Sequence, residues 1–184
     1  MVRTLRPRLL DSSLQAVWTS GFGLRMARAV DASALARHSV GAQVADVRRR
    51  GKYILIDLRG GAGILVHLGM TGRLRVQASE APRAKHTHVV WSLASGEELR
   101  FVDPRRFGWV AISRDVDQLP EVASLGPDAL RELDLVGLRK RMAASTASLK
   151  SFLLDQKRIA GLGNIYVCEA LFRARLHPRT PARQ

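Results

Sequence analysis

The feature that most constrains the fold is a series of short apolar runs between residues 14 and 113, separated by turn-forming residues. Gln15–Thr19, Val44–Arg49, Tyr53–Leu58, Ile64–Leu68, Arg73–Gln77, His88–Leu93, Glu98–Val102 and Trp109–Ser113 are each five or six residues long. They are too short for stable helices, and turns such as Arg50-Gly51, Gly60-Gly61 and Ser95-Gly96 suit hairpins. The spacing predicts an antiparallel two-layer β-sandwich with flanking helices, an α+β fold. Asp31–Ser39 reads as a helix with Asp31 as its N-cap.

Beyond Asp115 the pattern changes. Pro120 and Gly126-Pro127 punctuate a linker, and Leu130–Ala144, Leu149–Ile159 and Ile165–Leu176 read as helices. The last two are joined by Ala160-Gly161-Leu162-Gly163-Asn164, a helix–turn–helix arrangement. Two domains are therefore expected, residues 1–118 and 119–184.

Composition narrows the function. Lys and Arg total 30 against 16 acids, a net charge of +14 in 184 residues, and 46% of the chain is hydrophobic. A globular chain this basic points to a polyanionic partner, with nucleic acid favoured over general solubility. Cys168 is the single cysteine, which excludes an intrachain disulfide and a thiolate zinc site. No apolar run is long enough to span a bilayer, and the basic N-terminus lacks the apolar core of a secretory signal.

Two loops set bulky side chains beside glycine at strand ends, His67-Leu68-Gly69-Met70 and Asp103-Pro104-Arg105-Arg106-Phe107-Gly108. An Arg, a Phe and a Met on neighbouring turns suit the gap left when a base leaves a duplex. For Phe107 alone the competing reading is a core residue folded under its loop. Asp103 caps its turn or pairs with an arginine. In Arg48-Arg49-Arg50-Gly51-Lys52 the arginines read as charges guarding a solvated edge strand. Lys52, at the turn, reads as a phosphate ligand or a proton-transfer group. His86 and His88 share a face if both lie on a strand. With no third ligand at suitable spacing, a phosphate contact by His86 beside Lys85 is preferred to a metal. The Gly161–Asn164 turn leaves two readings open: a phosphate site at a helix N-terminus, or a tight turn capped by Asn164. Lys150 opens the preceding helix and Glu169 lies little more than a turn beyond Asn164. Each is either an ordinary surface charge or a group that tunes such a site. Cys168 reads as a small core residue.

Taken together, these segments resemble the formamidopyrimidine-DNA glycosylase family. The resemblance rests on Arg50-Gly51-Lys52-Tyr53, His67-Leu68-Gly69-Met70-Thr71-Gly72, Lys85-His86-Thr87-His88-Val89, Asp103–Gly108, Leu125-Gly126-Pro127 and Gly161-Leu162-Gly163-Asn164-Ile165-Tyr166 with Glu169. It implies a β-sandwich followed by a helix-two-turn-helix module, damaged double-stranded DNA as partner, and excision of oxidised purines followed by strand cleavage. Met70, Arg105 and Phe107 then resemble the wedge that fills the duplex gap. His67, His86, Lys150 and Asn164 resemble DNA-contacting positions. Lys52 resembles the lysine assigned to phosphate contact and proton donation, and Glu169 a carboxylate beside the lesion pocket, so Lys52 and Glu169 are the candidate catalytic groups. A monomer associated with the cytoplasmic nucleoid is expected, with no membrane and no protein partner.

Two expectations follow from departures. The family's N-terminal Pro-Glu, which supplies its amine nucleophile and a proton-handling carboxylate, has no match in Met1-Val2-Arg3. Its four-cysteine zinc finger has none either, so no cofactor is expected within this chain. The chain is expected to be a fragment with impaired catalysis. The alternatives are a non-catalytic damaged-DNA-binding module or a basic RNA-binding structural protein.

Overall fold

The computed structural model describes residues 1–24 and 30–184. They form two compact units, Met1–Arg49 with Tyr53–Leu119, and Arg50–Lys52 with Pro120–Gln184.

The first unit contains α1 (Val2–Leu9), β1 (Leu14–Thr19), α2 (Ala32–Ser39), β2 (Val44–Arg50), β3 (Tyr53–Leu58), β4 (Gly63–His67), β5 (Arg73–Ala78), β6 (Thr87–Leu93), β7 (Glu97–Val102) and β8 (Trp109–Ser113). Two four-stranded antiparallel sheets result, ordered β1-β6-β7-β5 and β2-β3-β4-β8. In β5 the period-two alternation is plain: Leu74 and Val76 are buried while Arg73 and Arg75 are exposed. Interior strand β4 is instead buried at Gly63 through Val66. Trp91 and Phe101 from one sheet meet Ile56, Ile64 and Val66 from the other in a single core, to which Leu5 and Leu9 of α1 and Leu35 of α2 also belong. Full burial of each such side chain stabilises the fold by roughly 1.5–3 kcal/mol. Asp31 caps α2 by accepting a hydrogen bond from Ala34 N at 2.8 Å, as expected.

One ion pair is almost wholly buried. Arg100 donates to Glu98 Oε2 at 2.7 Å and to the carbonyls of Pro82, Ala78 and Ser79, so it holds the β5–β6 loop on the sheet. Burial alone would raise the Glu98 carboxyl, but hydrogen bonds from Arg83 and Arg100 hold it below the usual glutamate value.

The second unit contains α3 (Pro120–Ala123), α4 (Leu135–Ala143), α5 (Leu149–Leu154) and α6 (Asn164–Arg173). Phe152, Ile159, Val167 and Leu171 form its core with Leu149 and Ala182. The helices are shorter than expected, for local reasons. Asp134 accepts from Val136 N and Gly137 N, so α4 starts at Leu135 rather than Leu130. Asp155 accepts from Lys157 N at 3.0 Å, ending α5 at Leu154 rather than Ile159. Gly163, not Asn164, is the N-cap of α6, and Asn164 is its first residue. The four-residue α3 lies within the predicted linker.

Candidate functional site

In the sandwich unit, the two glycine-bearing loops meet backbone to backbone. A Cβ added to Gly69, whose φ is +61°, would lie 2.6 Å from the Phe107 carbonyl carbon. A Cβ on Gly108 would lie 2.5 Å from His67 O and 2.7 Å from the ring of core residue Phe101. Only glycine allows this approach. It leaves Met70 74% exposed and Phe107 36% exposed on abutting turns, which overturns the core reading of Phe107.

Asp103 ties the two turns together. Fully buried, its carboxylate accepts from Thr71 Oγ1 on the Met70 turn and from Arg105 N and Gly108 N on its own. It therefore caps the turn rather than pairing with an arginine side chain, and a buried carboxylate so satisfied fixes the loop geometry. The Arg105 guanidinium lies 4.5 Å from the centroid of the Phe107 ring. The loop thus presents an apolar edge with a cationic cover, backed by core.

The imidazoles divide. His67 ends β4, with its ring 5.3 Å from that of Tyr53 and its Nδ1 accepting from Gly69 N. His86 precedes β6 and is half-buried, so it does not share a strand face with His88 as expected. His88 is buried at an irregularity in the β6–β7 pairing. Its Nε2 bonds Asp103 O at 3.0 Å, which makes Nε2 the donor and leaves Nδ1 to accept from Ser20 Oγ at 3.1 Å. Desolvation lowers its pKa, so it is neutral near neutral pH. Among the described residues no three His, Cys, Asp or Glu side chains gather to hold a metal. A lone Cys168 does not fit a thiolate zinc centre.

Arg48 and Arg50, expected as charges guarding an edge strand, make ion pairs. Arg48 bridges Asp57 and Asp117, and these bonds raise its pKa further. In the helical unit Arg50 binds Glu132 at 2.6 Å, and Gly51 N donates to buried Asp128 at 3.1 Å. These bonds pin the tip that carries Lys52. A Cβ on Gly163 would lie 3.9 Å from Lys52 Nζ, so this ammonium stands at the N-cap of α6. Partial desolvation lowers its pKa below the ordinary lysine value.

Gln156 staples the turn before α6. Its Oε1 accepts from Gly161 N and its Nε2 donates to the carbonyls of Leu154 and Leu162. Among the described residues no side chain caps α6, whose first N–H groups and positive dipole end face the same region as Lys52. Asn164 accepts from Cys168 Sγ at 3.6 Å. Cys168 and half-buried Lys150 line one cleft of about 480 Å³, so Cys168 is not a plain core residue. Glu169 is exposed and lies about 7.5 Å along the axis from Asn164 and about 140° around it, so it does not share that residue's face.

The structure thus joins Met70, Arg105 and Phe107 in one unit, and Lys52 with the α6 N-terminus in the other. Sequence reasoning missed Asp103 as the tie between two turns and Gln156 as the staple of a third. Only the capping preference of Asp in Asp-Pro was visible for the first, and nothing local marked the second.

Residues 1–110 match the model of the formamidopyrimidine-DNA glycosylase N-terminal domain, and residues 125–184 that of the formamidopyrimidine-DNA glycosylase H2TH domain. A formamidopyrimidine-DNA glycosylase of Moorella thermoacetica is 43% identical over 183 residues, 98% of this chain and 66% of the relative. One from Bradyrhizobium sp. is 46% identical over 154 residues, 76% of this chain and 53% of the relative. The chain spans from about half to just under two thirds of the length of these relatives. Among solved structures, Lactococcus lactis Fpg complexed with abasic-site DNA matches with a TM-score of 0.88 at 30% identity, over 100% of this chain and 67% of that one. A complex of the Lactococcus lactis enzyme with FAPY-dG-containing DNA has the same TM-score and identity, with 69% of that chain covered.

Proposed function

The chain belongs to the formamidopyrimidine-DNA glycosylase family, and from that premise we propose that it serves base-excision repair of duplex DNA. The reaction it serves is release of oxidised purines, such as 8-oxoguanine and formamidopyrimidines, followed by strand cleavage through elimination. That chemistry needs an amine nucleophile at the sugar, which none of the residues assigned below supplies, so their part is duplex binding and proton transfer. The observation that carries this reading is the exposed set of Met70, Phe107 and Arg105 on two turns locked by Asp103. A rigid apolar edge of this kind enters a base stack and fills the space that an everted nucleotide leaves behind.

The other groups take complementary parts. His67 and His86 serve phosphate contacts from the sandwich unit. Lys52, Asn164 and Lys150 do so from the helical unit, where the N-terminus of α6 adds N–H donors and dipole. Lys52, with its lowered pKa, also suits proton donation during elimination. The resemblance gives Glu169 a place beside the lesion pocket, and its position on another face of α6 from Asn164 sets it apart from the phosphate contacts. The net charge of +14 supports general affinity for the duplex. With a chromosomal substrate, the protein works at the cytoplasmic nucleoid.

The test is Phe107→Ala, read by fluorescence anisotropy on abasic and undamaged duplexes of one sequence. Binding to the abasic duplex should weaken about tenfold, equivalent to about 1.4 kcal/mol, with little change on the undamaged duplex. Equal loss on both would remove the wedge assignment.

A further inference from the structure

A second feature of the sandwich unit lies beside the Phe107 loop. Trp18, Phe22, Arg83, Lys85, His86 and Arg106 line an open cleft of about 490 Å³, within the roughly 300–1,000 Å³ usual for small-ligand sites. Trp18 is 43% and Phe22 63% exposed, large aromatic areas that the core does not use. Each aromatic carries a guanidinium: Arg83 lies 5.0 Å from the Trp18 ring centroid, and Arg106 5.9 Å from that of Phe22. Among the described residues no Asp or Glu lines the cleft. Arg83 is paired with Glu98, so its role is to set the stack, and net positive charge comes from Lys85 and Arg106.

The backbone contributes to this arrangement. Arg106 has φ of +54°, a left-handed conformation that costs a non-glycine residue free energy. Consecutive arginines therefore diverge, Arg105 over Phe107 and Arg106 over Phe22. Ser20 and buried His88 sit between the cleft and Asp103, so cleft and wedge loop share one hydrogen-bonded support.

Aromatic faces interleaved with cations, without carboxylates, make a stacking platform for a base with a charged site for its phosphate. We infer that this cleft is a subsite for an unpaired nucleotide of the DNA strand, its base stacked against both Trp18 and Phe22 and its phosphate held by Lys85 and Arg106. The inference rests on the repair reading, because a wedge that opens a duplex produces unpaired nucleotides next to itself. It goes beyond that reading in assigning a separate place for one of them.

The experiment compares a labelled short thymidine oligonucleotide with an abasic oligomer of equal length and charge, by anisotropy at fixed salt. The thymidine strand should bind about tenfold more tightly, the size of effect expected from one stacked base. Trp18→Leu and Phe22→Ala should each remove most of that preference while leaving the weaker abasic-oligomer affinity in place. Circular dichroism melts identify any variant that has lost its fold; Phe22→Ala, at the more exposed position, is the primary test. Equal affinity of the wild-type protein for the two oligomers would overturn the inference, as would full preference in a folded Phe22→Ala variant. Failure of the repair reading shows separately, as wild-type protein that does not distinguish abasic from undamaged duplex.

Discussion

The sandwich and the helical unit hold their functional groups by different physical means. In the sandwich, the Met70 and Phe107 turns rest on a core containing Trp91 and Phe101, and one buried carboxylate joins them. The helical unit has a smaller core, and α4 contains no fully buried residue. Leu135, Val136, Ile165, Tyr166 and Phe172 are exposed there. Its Lys52 tip and α6 turn are positioned by polar staples, Asp128, Glu132 and Gln156. Close packing around one buried carboxylate fixes the exposed apolar edge of Met70 and Phe107, and directed hydrogen bonds fix the Lys52 tip and the α6 turn. Each device suits the chemistry it supports.

The largest expected effect tests the packing side of this contrast. Phe101→Ala should lower stability by about 3–5 kcal/mol, by loss of burial and a cavity beneath Gly108. Leu135→Ala on α4 should stay within about 0.5 kcal/mol. Urea denaturation measures both, and similar costs would erase the difference between the units. A smaller effect tests the polar side. Asp128→Asn puts an amide donor where a carboxylate oxygen accepts from Gly51 N or Leu130 N. It should cost about 1–3 kcal/mol and weaken duplex binding through a loosened Lys52 tip; unchanged stability and binding would show that the tip is held otherwise.

The smallest effect sharpens the functional side. Lys52→Ala should reduce the salt dependence of duplex binding by about one phosphate contact. Because desolvation lowers the Lys52 pKa, the wild-type contact is complete below that pKa. It should fade on raising the pH before an ordinary lysine would deprotonate. A slope unaffected by the substitution would place Lys52 away from the backbone phosphates.

Much of the sandwich was legible because its signal is local. Alternation in Arg73–Gln77 and punctuation by Gly51 and Gly96 define strands without knowledge of their partners, and the strands formed within a residue or two of the expected bounds. The helical unit was less legible. Leu130–Leu133 continues the apolar spacing of a helix, but Asp134 captures two N–H groups and starts the helix later. The same competition from Asp155 shortens α5. For the wedge, residue types beside glycine were enough to nominate Met70, Arg105 and Phe107. Trp18 and Phe22 carried no such signal, since the arginines stacked on them are distant in sequence.

The amino-acid order alone determined the strand pattern, the excess of positive charge and the loops that bear Met70 and Phe107. These depend on period, composition and turn chemistry, which act over a few residues. Tertiary structure decided that Asp103 should lock two turns, that Lys52 should stand at the α6 N-cap and that two arginines should diverge toward different aromatic rings. Those outcomes require residues far apart in the chain to approach within hydrogen-bonding or van der Waals distance, and only the folded backbone brings them there.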